Sequence, residues 1–180
     1  PTMGALHQGH LSLIEESNKK CEITICSIFI NPTQFNNAID LANYPNTINT
    51  DLEKLEGLAC DIVYIPTIED LYEKGEKVKE FDFGSLTTSM EGEFRPGHFT
   101  GMATIVEKFF NIIQPTIAFF GQKDLQQLQI VKALVKQMKS AIKIEGAPTI
   151  REENGLAKSS RNKLLSESEK KDAALIYSCL

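Results

Sequence analysis

Short apolar runs alternate with amphipathic stretches along this chain. Residues 23–30 (ITICSIFI) are rich in β-branched side chains and apolar at both parities, the pattern of a strand buried on both faces of a parallel sheet. Residues 62–65 and 116–120 read the same way, and 142–145 more weakly. Between them lie helical patterns. Residues 47–58 place Ile48, Leu52, Leu55 and Leu58 at helical spacing, and 99–113 form a long apolar helix closed by Gln114-Pro115. Residues 124–138 carry Leu125, Leu128, Val131, Leu134, Val135 and Met138 on one stripe. An earlier helix opens after a small-residue turn at 2–9 and runs to about Lys19. Alternating strands and helices predict an α/β chain with a doubly wound, Rossmann-like parallel sheet.

The pattern changes at Gly146-Ala147-Pro148. Beyond it, Asn154-Gly155 lies between two short β-like pieces, a hairpin signal. Residues 166–180 then read as a helix, with Ser166 as N-cap and Glu169 as its reciprocal partner. The expected division is a nucleotide-binding domain over 1–148 and, over 149–180, a hinge and the start of a smaller C-terminal domain. The first strand of a doubly wound sheet is central and feeds the first glycine-bearing turn. Here the turn stands at Thr2 to Gly9 with no strand before it, so a strand ahead of Pro1 is expected in the intact protein.

Composition narrows the classes. The chain has 180 residues, 42% of them hydrophobic and 24% charged, which is ordinary globular usage. A net charge of −5 argues against a general nucleic-acid binder. The apolar runs are far too short to span a membrane. Cys21, Cys26, Cys60 and Cys179 form no C-x-x-C pair and read as free thiols of a reducing compartment.

Candidate chemistry clusters at the ends of the expected strands. His7-Gln8-Gly9-His10 sits on the turn that opens the first helix, where residues three apart share a face and the helix dipole favours an anion. Two imidazoles there could donate hydrogen bonds to phosphate. Gly121-Gln122-Lys123-Asp124 follows the 116–120 strand; Lys123 can meet phosphate, and Asp124 can cap the helix or help hold Mg²⁺. Lys158-Ser159-Ser160-Arg161 offers two hydroxyls and a guanidinium suited to phosphate oxygens. Asn31 and Gln34 end another strand, and Gln126 and Gln127 supply further amides, which suit a substrate bearing hydroxyl and carboxylate groups. A zinc site lacks companions, because the only other histidine is His98. The run from Gly92 to Phe99 mimics phosphate-loop spacing but has His98 and Phe99 where Lys and a hydroxyl are needed.

Taken together, PTMGALHQGH (1–10), SIFINPTQF (27–35), Tyr44-Pro45, EGEFRPGHFTG (91–101), FFGQKDLQQL (119–128) and GLAKSSRN (155–162) resemble the pantoate–β-alanine ligase family, in family order across nearly the whole chain. That family belongs to the superfamily of nucleotidylyl transferases and class I tRNA synthetases, whose H-x-G-H signature His7 to His10 resembles. The resemblance implies a nucleotidylyl transferase-type fold and a cytoplasmic, homodimeric enzyme. Its expected reaction condenses pantoate with β-alanine at the expense of Mg·ATP, through a pantoyl adenylate. It implies an ATP site from Met3, Gly4, Ala5, Leu6, His7, Gln8, Gly9 and His10, with His10 as proton donor and His7 stabilising phosphate charge. Gly121, Gln122, Lys123 and Asp124 would add to it, with Lys123 on phosphate. Ile150 would meet adenine by its backbone, and Lys158, Ser159, Ser160 and Arg161 would close over the phosphates. Gln34 and Gln127 would hold pantoate, with Gln34 also near β-alanine. Two positions depart from the family pattern: Gln122 stands where Glu is common, and Lys158 where an apolar residue is frequent. The implied partners are small molecules, not nucleic acid or membrane, and the family is longer at both ends. A phosphopantetheine adenylyltransferase would share His7 to His10 but has no need of the two glutamines. A binding domain without turnover is the non-enzymatic alternative.

Overall fold

The computed structural model describes residues 1–35, 37–76 and 79–179. In chain order the elements are α1 (Gln8–Lys20), β1 (Ile25–Ser27), α2 (Ala38–Ala42), α3 (Ile48–Glu56), β2 (Ile62–Tyr64), α4 (Ile68–Leu71), α5 (Glu91–Phe94), α6 (His98–Ile113), β3 (Ile117–Gly121), α7 (Leu125–Gln137), β4 (Lys143–Ala147) and α8 (Glu167–Ser178). Tight 3₁₀ turns occupy Pro32–Gln34, Gln122–Asp124 and Ser160–Leu164, each beside expected site residues.

Both strand pairs are parallel. β1 pairs with β2, Ile25 opposite Ile62 through Ser27 opposite Tyr64. β3 pairs with β4, Ile117 opposite Lys143 through Gly121 opposite Ala147. Helices α2 and α3 carry the first crossover and α7 the second, as parallel pairing requires. Thr2 adds an isolated parallel bridge to Ile28, with its N–H donating to the Ser27 carbonyl at 2.8 Å.

β1 is shorter than the eight-residue apolar run predicts. Cys21 caps α1 by donating to the Ser17 carbonyl, and the Thr24 N–H is taken by the Asp61 carboxylate at 2.7 Å, so the chain joins the ladder only at Ile25. Ile23 stays 61% exposed. At the other end Pro32, which lacks an N–H, starts a 3₁₀ turn. The ladder of β4 starts one residue late and extends to Ala147.

The main core lies on α6. Phe99, Met102, Ala103, Ile105, Val106, Phe109 and Phe110 pack with Leu128, Val131 and Leu134 of α7, Ala118 and Phe120 of β3, and Phe29. Burying each large side chain contributes about 1.5–3 kcal/mol. A smaller cluster of Leu6, Ile14, Cys26, Ile28 and Leu55 lies beneath the turn that precedes α1. The inward face of α3 differs from the apolar stripe: Leu52 is 36% exposed, while Asp51 is fully buried beside Leu55.

Past β4, Arg151 bridges Ala157 in antiparallel fashion, and the turn closes at Gly155 with φ +91°. α8 begins as its capping box requires: Ser166 accepts from the Glu169 N–H, and the Glu169 carboxylate accepts from the Ser166 N–H at 2.7 Å. Its expected last residue, Leu180, lies outside the described residues. All four cysteines are free thiols. No helix among the described residues is long and apolar enough to cross a membrane.

Candidate active site

The start of α1 is organised by its two imidazoles. His7 is the N-cap; its Nδ1 accepts from the Gly9 N–H at 3.1 Å. His10 returns the bond, its Nδ1 accepting from the His7 N–H at 3.3 Å. This is a capping box built from histidines, and it brings the ring centroids to 4.0 Å at a 31° tilt. Because each Nδ1 accepts, each proton sits on Nε2, and both rings are hydrogen-bond donors at their outer edge. Gly9 leaves room for this: a Cβ there would come within 3.0 Å of the His7 ring.

Electrostatics keeps both rings neutral. Burial pushes the His10 pKa down to about 3, helped by His7 and Lys123. Burial lowers His7 as well, followed by the charges of Lys123 and Lys158. Both lysines line the same cleft as the imidazoles. Lys123 lies 3.7 Å from the Asp124 carboxylate on the 3₁₀ turn after β3. Lys158 ion-pairs with Glu152 at 2.7 Å across the hairpin. In the next turn the Ser159 hydroxyl accepts from the Arg161 N–H at 3.3 Å and caps Ser160–Leu164.

A third wall carries amides. Asn31, 1% exposed, donates to the Gln34 side-chain oxygen at 3.3 Å and to the Gly101 carbonyl at 3.1 Å. It accepts from the hydroxyls of Thr33 and Tyr72 at 3.0 and 2.9 Å. Those bonds orient the Gln34 amide so that its NH₂ points at the Met3 sulfur, 2.9 Å away. The buried His98 ring meets the Gln34 carbonyl at 2.7 Å, holding the segment from behind. Gly101 allows the close approach, since a Cβ there would sit 2.2 Å from the Thr33 carbonyl oxygen.

These walls enclose one cleft. Met3, His7, Gly9, His10, Gln34, Gly121, Lys123, Asp124, Gln127, Ile150, Lys158, Ser159, Ser160 and Arg161 all line it. Gly4, Ala5, Leu6, Gln8 and Gln122 do not. Leu6 is buried in the small cluster below, and the Gln122 amide faces the Gly146 carbonyl at 3.4 Å. Gln126 also turns away: its NH₂ donates to the Leu86 and Ser89 carbonyls at 2.7 and 2.8 Å, tying α7 to the loop before α5. Motif reading missed His98, Tyr44, Glu91, Arg95 and the apolar wall of Phe99, Met102 and Val106, all of which face the same space. For Glu91, Arg95, His98 and Phe99 the signal was the glycine-bearing 91–101 run.

Imidazole donors at a helix start, opposite a lysine and a hydroxyl- and guanidinium-bearing loop at the ends of parallel strands, belong to an α/β fold of the nucleotidylyl transferase type. The family described as Pantoate-beta-alanine ligase matches residues 1–180, and the chain belongs to that family. It is 53% identical over its whole length to the pantothenate synthetase of Flavobacterium psychrophilum, and 47% identical to that of Acinetobacter baylyi. It spans 64% of the length of each. A crystal structure of the pantothenate synthetase of Thermus thermophilus superposes with a TM-score of 0.95 at 40% identity, covering 100% of this chain and 65% of that one. The pantoate–β-alanine ligase of Francisella tularensis, solved with β-γ ATP and β-alanine, superposes at 0.93 with 42% identity, covering 99% and 68%.

Proposed function

We propose that this chain carries the catalytic cleft of an ATP-dependent ligase that joins pantoate to β-alanine. The pantoate carboxylate attacks the α-phosphate of ATP, forming pantoyl adenylate and releasing pyrophosphate. The amine of β-alanine then attacks the acyl carbon, and AMP leaves. The observation that supports this best is the convergence of two amides, two neutral imidazoles and two lysines, borne on separate elements, around one cleft. Positioning and charge stabilisation are the contributions such a site makes.

In this reading Gln34 and Gln127 hold the hydroxy acid, and the neutral Nε2–H of His7 and His10 meet the phosphate oxygens. Lys123 and Lys158 neutralise the charge that develops as pyrophosphate departs, while Ser159, Ser160 and Arg161 close over it. The Ile150 backbone serves adenine. Among the described residues no group of three His, Cys, Asp or Glu could hold a metal, and the half-exposed Asp124 is the carboxylate beside the phosphate-facing Lys123. That fits Mg²⁺ carried in mainly by the triphosphate, with Asp124 as a ligand or water partner and charge neutralisation as its chemistry. The enzyme would be a cytoplasmic homodimer. Residues beyond Pro148 would begin a second domain whose closure completes the phosphate contacts. Ahead of Pro1, an extended segment of the full-length protein would form the central strand.

The test is pantoate-dependent exchange of labelled pyrophosphate into ATP by the full-length protein. Exchange with pantoate and none with phosphopantetheine is the expected result. Exchange with phosphopantetheine alone would turn the reading to an adenylyltransferase, and ATP binding without exchange to a non-catalytic domain.

A further inference from the structure

The turn that presents the histidines is held from beneath by a residue outside the cleft. Asp51, on the first turn of α3, is 0% exposed and does not line the cleft. One carboxylate oxygen accepts from the Ala5 N–H at 2.8 Å and from the Thr47 hydroxyl at 3.0 Å. The other accepts from the Leu6 N–H at 2.8 Å. Lys54, one helical turn on, donates to the Leu6 carbonyl at 2.7 Å and stands 3.9 Å from the carboxylate. Thus α3 grips both polar groups of the Leu6 backbone, some 45 residues away in sequence.

The turn needs such a grip. Gly4 and Ala5 are consecutive left-handed residues, at φ +80° and +51°. For Ala5 that conformation is strained, and it persists only where neighbours over-determine it. Buried carboxylates are costly unless hydrogen-bonded, and Asp51 has three such bonds. The turn in turn sets the direction in which His7 leaves. The His7 N–H is the donor to His10 Nδ1, so both rings inherit their position from residues 4–6.

We propose that Asp51, seconded by Lys54, is a positioning residue for phosphate chemistry: it fixes the strained Gly4-Ala5 turn and through it the two imidazole donors, touching no ligand itself. The proposal rests on the ligase reading above. Its test uses the full-length protein in the pyrophosphate exchange assay. Asp51→Asn replaces one acceptor with an NH₂ that opposes a backbone N–H. It is expected to lower kcat 10- to 100-fold while the KM for pantoate, set by Gln34 and Gln127 on other elements, changes less than two-fold. Adding Ala5→Gly relieves the φ strain and should recover the melting temperature without recovering kcat. Recovery of both together would reduce Asp51 to a purely structural role, and a wild-type kcat in Asp51→Asn alone would overturn the proposal. Should Asp51→Asn fail to fold, Lys54→Met removes the bond to the Leu6 carbonyl and the charge beside Asp51 while leaving the Asp51 bonds to the turn in place. A several-fold loss of kcat at constant pantoate KM is expected, and an unchanged kcat overturns the proposal. Wild-type protein lacking exchange would instead overturn the ligase reading, leaving these variants without a rate to alter.

Discussion

His10 joins three consequences in one side chain. Its Nδ1 is occupied by the His7 N–H, its half-buried setting disfavours the charged ring, and the Lys123 charge disfavours it further. It therefore acts as a neutral Nε2–H donor at every physiological pH. Replacing it with Ala removes one preorganised donor, and adenylate formation measured by pyrophosphate exchange should fall about 10²–10³-fold. The same burial makes a pH prediction. In the unfolded chain a histidine takes up its proton near pH 6.5; in the fold His10 takes it up only near about 3. Between those values the unfolded state binds more protons, so acid favours unfolding. The stability contributed by keeping the ring neutral is complete above about 6.5 and drains away as pH falls toward 3, at about 1.4 kcal/mol per pH unit. Thermal melts from pH 7 to 4.5 should show a shallower acid loss in His10→Gln than in the wild type. Parallel curves would show that His10 does not carry the acid sensitivity.

At the scale of elements, close approach governs the amide wall. α6 packs against the Pro32–Gln34 turn because Gly101 has no side chain, and the Thr33 carbonyl occupies the space a Cβ would take. Gly101→Ala must push the turn away by an ångström or more, moving Gln34 relative to His98 and Asn31. Expected outcomes are a loss of about 1–3 kcal/mol in urea unfolding, the usual range for overpacking, and a KM for pantoate raised ten-fold or more. A KM at the wild-type value would detach Gln34 from the substrate. Periodicity revealed much at this scale. The α7 stripe, the long buried α6 with its Gln114-Pro115 stop and the Ser166/Glu169 capping box are local patterns, and each became the element it implied. The strand ends were less legible, because Asp61 and Pro32 trim β1 through long-range and covalent constraints that hydrophobic alternation does not encode. Within the cleft, motif spacing located the imidazoles, Lys123, the 158–161 loop and the two glutamines. It could not foresee Asp51, since a carboxylate among Ile48, Leu52 and Leu55 looks like the solvated face until the turn it grips is folded against it. His98 was passed over for a similar reason: its role exists only through a contact with Gln34, 64 positions away.

At the scale of the whole molecule the strands form two separate ladders. β1 pairs with β2 and β3 with β4, and among the described residues no bond links β1 to β3. A groove of about 370 Å³ is lined by residues 24–27 and 116–119, by Phe109, Phe110 and Ile113 of α6 and by Leu13, Ile14 and Ser17 of α1. Facing strand edges present rows of backbone donors and acceptors, and an extended segment between them would satisfy both. Thr2 sets the direction: its parallel bridge to Ile28 aligns the chain at Pro1 with β1, and both Pro1 and Thr2 line the groove. A strand placed there would complete a five-stranded parallel order with the histidine turn at its carboxyl end, where sheets of this kind bind ligands. Its effect can be read by hydrogen exchange on this chain and on one lengthened only by the upstream residues of the full-length protein. The groove-facing amides of β1 and β3 should gain at least ten-fold protection in the longer chain, and its melting temperature should rise by several degrees. Equal exchange at those amides would place the upstream segment elsewhere.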